Sequence, residues 1–235
     1  MEFEETISSE DQTFCSPTKP TGLLEGTFPK PLSSPGKRIK VLIRDATSED
    51  LPALVDIFNE EIATSTCTFR MRPVDIEDRR AWLSELTKDG YPCLVAIHAD
   101  DTGKETTIGW CNLSRYRYQE AYNACDFILS RLESSNSERR TVEISMYTHR
   151  DFRGRNIGSK LLKAILLEAQ KRNYRTILAM VAADPASSDR ERFWVQRGFE
   201  LRGTLRELGF KFDRWVDVGV YQLMLEGLVH RTKDN

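Results

Sequence analysis

Apolar residues recur along the chain with two spacings, and the change from one to the other delimits the elements. Val142-Glu143-Ile144-Ser145-Met146-Tyr147-Thr148 is rich in β-branched and aromatic residues and predicts a strand. Leu161, Leu162, Ile165, Leu166 and Ala169 follow it at helical spacing. Upstream, Lys40–Arg44 reads as a short strand. Thr47 or Ser48 then caps a helix with Pro52 in its early turns and Leu51, Leu54, Val55, Phe58 and Ile62 on one face. Asp75–Leu86 reads as a second helix, and Tyr91–Ala99 and Thr107–Leu113 as strands joined by the polar turn 100–104, hence an antiparallel hairpin. Downstream, Arg175–Val181 is a strand, and Ser188-Asp189-Arg190-Glu191 has capping-box form and opens a helix reaching Gly198. Trp215–Leu223 closes the chain's pattern with Val216, Val218 and Val220 on one face and Asp217 on the other. This order implies an α/β (α+β) domain: a mixed, mostly antiparallel sheet flanked by helices, with a parallel crossover around the central strand and its helix.

Between that strand and helix lies a basic turn, His149-Arg150-Asp151-Phe152-Arg153-Gly154-Arg155-Asn156-Ile157-Gly158-Ser159. Its layout suits a pyrophosphate. The first N–H groups of a helix lack intrahelical partners and carry partial positive charge. Gly154 and Gly158 let backbone approach an anion, Asn156 tolerates positive φ, and Arg150, Arg153 and Arg155 supply charge. The plainer alternative is an ordinary strand–turn–helix with a solvated basic loop.

Composition adds bounds. The 235 residues, 40% hydrophobic and 30% charged, suffice for one substantial core. A formal charge of −2 carries no polyanion-binding bias, so no nucleic-acid partner is expected. No apolar run approaches a membrane span, and the acidic start Met1-Glu2-Phe3-Glu4-Glu5 resembles no secretory or transit signal. Five cysteines lack C-x-x-C spacing and the three histidines are scattered, which supports neither a metal site nor a disulfide framework and points to a reducing, cytoplasmic setting. Residues 1–37 are rich in Ser, Pro, Gly and Glu and read as a disordered tail. The domain is expected over 38–228, with a short tail at 229–235 and a polar surface loop within 126–141.

Arg153-Gly154-Arg155-Asn156-Ile157-Gly158 resembles the Q/R-x-x-G-x-G/A acetyl-CoA signature of the GNAT N-acetyltransferases, with Asn156 in place of the middle glycine. Residues 40–226 further resemble the phosphinothricin/methionine sulfoximine branch of that family. The resemblance rests on Ile43-Arg44-Asp45-Ala46-Thr47, Ala63-Thr64-Ser65-Thr66, Thr141-Val142-Glu143, and the G-F-K-F-x-x-W-x-D-V run from Gly209 to Val218. It implies a GNAT fold with splayed strands. Acetyl-CoA would lie there as co-substrate, held by Met146, Tyr147 and Thr148 at pantetheine and by Arg153, Gly154, Arg155, Asn156, Ile157, Gly158 and Ser159 at pyrophosphate. Ser187 or Ser188 stands where the family has an asparagine contact. Glu143 matches the proposed base, the alternative being a strand glutamate paired with an arginine. Arg117 aligns with an arginine for the acceptor carboxylate, and Phe69 and Tyr122 with aromatic lining positions.

The resemblance also implies a homodimer and a small-molecule amine as substrate. Trp194 occupies the place of the tyrosine that protonates the leaving thiolate in many members; an indole cannot do so, and Tyr147, Tyr122 or water remain open. The leading expectation is transfer of acetyl to the α-amine of a small amino acid or analogue. A second keeps the cofactor but takes a polyamine, aminoglycoside or protein N-terminus, and a third is a non-catalytic acyl-CoA-binding module.

Overall fold

The computed structural model describes residues 39–117, 141–183 and 188–225. The expected tails, most of the 126–141 loop, Tyr122 and Ser187 lie outside these residues.

The first strand, β1 (Leu42–Asp45), leads through a 3-10 turn into α1 (Leu51–Thr64). One carboxylate organises that junction. Asp50, buried, accepts the Thr47 backbone N–H at 2.8 Å, the Arg44 guanidinium at 2.7 and 3.0 Å, and the Thr107 hydroxyl at 2.6 Å. Burial alone would raise its carboxyl, but the hydrogen bonds from Arg44 and Thr107 outweigh this and hold it below the usual range. Next comes α2 (Ile76–Lys88), capped by the Asp75 carboxylate on the Asp78 N–H at 2.8 Å. Strands β2 (Cys93–Ala99) and β3 (Glu105–Arg115) form the expected antiparallel hairpin, its turn drawn together by Asp100, which accepts the N–H groups of Thr102 and Lys104.

The central strand β4 (Thr141–Thr148) is followed by α3 (Ile157–Lys171), β5 (Thr176–Ala183) and α4 (Ser188–Val195), then β6 (Glu200–Lys211) and β7 (Arg214–Met224). Sheet order is β1-β2-β3-β4-β5-β7-β6, antiparallel except for the parallel pair β4–β5. The expected mixed sheet with one parallel crossover at the basic turn is therefore present.

Two apolar layers cover opposite faces. On one, α3 seats Leu161, Leu162, Ile165 and Ala169 against Val142, Ile144, Ile177 and Ala179. On the other, α1 seats Leu54, Ile57, Phe58 and Ile62 against Val95, Ile97 and Trp110. Strand β6 carries no strand assignment in the sequence pattern, because two register shifts, at Leu201/Gly203 and Leu205/Gly209, break its alternation. The hairpin with β7 turns through Phe212 and Asp213, both at positive φ (53° and 56°).

Candidate active site

Strands β4 and β5 pair only over Thr141–Glu143 with Thr176–Leu178. Beyond Glu143 both continue, β4 held by β3 as far as Thr148 and β5 by β7 as far as Ala183, so the two part company within one continuous sheet. The parting leaves the β5-facing edge of Ile144–Thr148 without ladder partners from β5. Met146, Tyr147 and Thr148, the residues expected at pantetheine, all lie on this stretch.

The turn beyond β4 is shaped by two left-handed residues, Gly154 (φ 73°) and Asn156 (φ 64°). Asn156 is the N-cap of α3, yet its side chain makes no capping bond, and the first turn of α3 holds no acidic residue. The helix N-terminus thus has no acidic side chain of its own first turn to offset its positive end. Gly158 sits tightly: a β-carbon there would lie 3.2 Å from the Phe193 ring and 3.5 Å from the Met146 Cε.

The three arginines do not act alike. Arg150 pairs with Glu60 at 3.1 Å and Arg153 with Glu61, so α1 offsets part of the charge of the turn. Among the described residues Arg155 pairs with no carboxylate; its guanidinium lies 5.3 Å from the Phe152 ring centre. A cation that sequence reasoning missed is Arg197. It donates to the Ser159 hydroxyl at 2.5 Å and to the Phe193 carbonyl at 2.8 Å, and stacks 3.7 Å above the Phe193 ring centre. Burial lowers its pKa. Only the approach of α4 to α3 reveals it.

Period-2 geometry puts Glu143, Ser145 and Tyr147 on the α1 side of the sheet, opposite Val142, Ile144 and Met146. Glu143 stands where β4 leaves β5, between Ser114 of β3 and Leu178 of β5. Burial raises its carboxyl pKa, and nearby Arg117 opposes the rise. Beside it, Asn112 faces Ser145 across the ladder, nearly fully buried, with its side-chain carbonyl unpartnered. Asn112, Ser114 and Ser145 join Glu143 in this column only through the β3–β4 register.

The α1–α2 loop closes the same side. The Tyr147 hydroxyl reaches the Cys67 carbonyl at 3.5 Å, and burial pushes the phenol's pKa up. Phe69, expected to line the acceptor side, lies on Gly209 of β6. Arg115, at the end of β3, meets Asp89 at 3.7 Å. Trp194 is buried in the core against Phe193 and Phe199, remote in role from any proton transfer.

A sheet that splays at a half-buried carboxylate, opening onto a helix whose first turn holds no acidic residue, is matched by the sequence profile of the Acetyltransferase (GNAT) family over residues 54–199. The chain belongs to that family. An L-methionine sulfoximine/L-methionine sulfone acetyltransferase of Pseudomonas paraeruginosa is 31% identical over 186 residues, covering 78% of this chain and 94% of that protein. The crystal structure of a GNAT phosphinothricin acetyltransferase from Sinorhizobium meliloti in complex with acetyl-CoA superposes with TM-score 0.63 at 27% identity, covering 82% of this chain and 97% of that one. A ribosomal-protein-alanine N-acetyltransferase from Brucella melitensis superposes with TM-score 0.65 at 32% identity over 78% and 99% of the two chains. As a GNAT enzyme the chain is an acetyltransferase, and acetyl-CoA is the donor its family uses.

Proposed function

We propose that this enzyme acetylates the α-amine of a small amino acid or amino-acid analogue of the methionine sulfoximine/phosphinothricin kind. The observation that carries the reading is Glu143, a half-buried carboxylate at the point where the strands part, with Arg117 close enough to affect it. Acetyl-CoA, when bound, supplies the thioester carbonyl that the amine attacks and the thiolate that leaves. The amine reaches the site mostly protonated near neutral pH and must lose that proton. Glu143 takes it, directly or through water held by the Asn112–Ser145 column. Raised basicity suits the task, and Arg117 gives the acceptor carboxylate a counter-charge.

The donor's residues fit the same reading. The α3 N-terminus, Gly154 and Asn156 offer backbone N–H groups to a pyrophosphate, Arg155 and Arg197 offer charge, and the open edge of Met146–Thr148 offers backbone groups to pantetheine. An acceptor screen with acetyl-CoA, following free thiol release, tests this. Methionine sulfoximine and phosphinothricin are expected to react and polyamines not, because Arg117 repels them. The Brucella relative supports a second acceptor, an alanine-starting peptide, and reaction with that peptide alone would replace the first reading.

A homodimer in a reducing, cytoplasmic setting completes the proposal. Strand β6 is a sheet edge whose hairpin exposes Leu205, Phe210, Phe212 and Trp215, with Phe210 and Trp215 in edge-to-face contact at 5.3 Å. A long apolar edge is a surface that proteins cover. Light scattering at micromolar concentration is expected to give twice the chain mass. Cys93 and Cys111, on neighbouring strands, are both free thiols; burial pushes Cys93 up to about 12.

A further inference from the structure

The segment Ser65–Phe69 is held mainly from outside itself, and the distal end of β6 is its seat. The Lys211 ammonium, 2% exposed, donates to the Ser65 carbonyl at 2.7 Å and to the Thr68 carbonyl at 2.9 Å, so one cation ties together both ends of the loop's bend. Arg190 of α4 adds bonds to Cys67 Sγ at 2.7 Å and to the Thr66 hydroxyl at 3.4 Å. Next in the chain, the Phe69 ring lies so close over Gly209 that a β-carbon there would come within 2.5 Å of it. Gly209 is not among the positive-φ residues, so the backbone does not require glycine at this place; the ring above it does.

Parity through the sheet relates this seat to the carboxylate. Gly209 pairs with Val216, and Val216 and Val218 lie on the same side of β7. Val218 pairs with Ala182 of β5, four residues along from Leu178 and so on the same side, and Leu178 pairs with Glu143. Phe69 therefore stands on the Glu143 side of the sheet, over its distal edge.

We propose that Gly209 and Lys211 are acceptor-specificity positioning residues: without touching substrate, they set how deep the Phe69 ring sits over the Glu143 side of the sheet. The proposal rests on the acceptor reading above. Glycine at 209 lets the ring drop onto the strand, and the buried lysine keeps its backbone from lifting. Removing the ammonium would leave two carbonyls without their partner, at a cost the loop avoids by opening to water.

Steady-state kinetics with L-methionine sulfoximine and acetyl-CoA test it. Gly209→Ala is expected to raise the acceptor KM about tenfold, within the roughly 10²-fold that a misplacement of about 1 Å in a positioned site can cost, with acetyl-CoA KM and melting temperature unchanged. Phe69→Leu in that background should recover most of the loss, since the smaller side chain clears the new methyl. Equal shifts in both KM values, or a lowered melting temperature without a KM split, would overturn the proposal.

A second measurement needs no turnover: amide hydrogen exchange over residues 65–70 in Lys211→Met. Exchange at least tenfold faster there, with β4 unaffected, is expected; unchanged exchange would overturn the seat. If the wild-type protein leaves the probe unacetylated, the acceptor reading fails, while the exchange result still decides whether β6 holds the loop.

Discussion

The turn at 153–159 and the loop at 65–69 flank the same site and keep their shapes by opposite means. The turn takes its bend from its own residues, with the Arg153/Glu61 and Arg197/Ser159 pairs adding distant anchors. Two left-handed positions, Gly154 and Asn156, bend it, and α3 begins directly beyond. The loop has little of this: Ser65 accepts the Cys67 N–H at 3.1 Å and Thr68 the Arg70 N–H at 3.2 Å, and otherwise its anchors come from α1, β4, α4 and β6. Donor recognition asks for a cradle of backbone N–H groups, which one short stretch can supply. Acceptor recognition asks for side chains at chosen depths, which takes several elements. The donor half should therefore fail mainly to local changes, and the acceptor half to distant ones at least as readily.

The largest effect should come from breaking the turn at its tightest place. Gly158→Asp puts a side chain against Phe193 and a negative charge where phosphates would lie. Calorimetry is expected to show no measurable acetyl-CoA binding, with circular dichroism still reporting a folded sheet. Unchanged affinity would remove the turn from donor binding.

Breaking the acceptor half should leave that affinity alone. Glu143→Gln keeps shape and removes basicity, and loss of a positioned general base costs on the order of 10²–10⁴ in rate. The loss is expected in kcat, with acetyl-CoA affinity unaltered, and should shrink as pH rises because more amine then arrives deprotonated. A defect independent of pH would mean that Glu143 is not the base.

A finer probe asks how far the turn's shape is its own. Asn156→Val places a β-branched residue at φ 64° and should cost about 1–2 kcal/mol in chemical denaturation, whereas Asn156→Gly should be nearly neutral. If both behave alike, tertiary contacts, and not local conformation, dictate the turn.

The smallest effect concerns stability at Glu143. Burial raises its folded pKa above 4.5, so the folded state holds the proton more tightly than the unfolded one. Its carboxyl therefore favours folding most below 4.5, and that advantage is lost as pH rises through the folded pKa. Relative to wild type, Glu143→Gln should be neutral or slightly stabilising at neutral pH, and melting curves across pH should show any gain vanish below 4.5. A lowered melting temperature at neutral pH would instead mark a glutamate stabilised by its arginine.

Much of the architecture is already determined by the sequence, because its causes are local. The period of Leu161, Leu162, Ile165 and Ala169 sets α3 and its buried face; the polar turn at 100–104 sets a hairpin; and the glycines and asparagine of the basic turn set a bend before a helix. Glu143 stands out through family resemblance alone, since one glutamate in a strand carries no periodic signal.

Other features required the tertiary structure. Strand β6 is a strand because β7 pairs with it across two bulges, which scramble the alternation that would have announced it. The charge of Arg153 is shared with Glu61, 92 residues away, and Arg197 reaches Ser159 across 38. Lys211 has the look of a solvated lysine until β6 folds under the loop and buries it against carbonyls more than 140 residues upstream. The physical division is one of range. Backbone conformation and hydrophobic period are settled by neighbours in the chain, whereas the partner and depth of a buried charge are settled by whichever distant element packs against it.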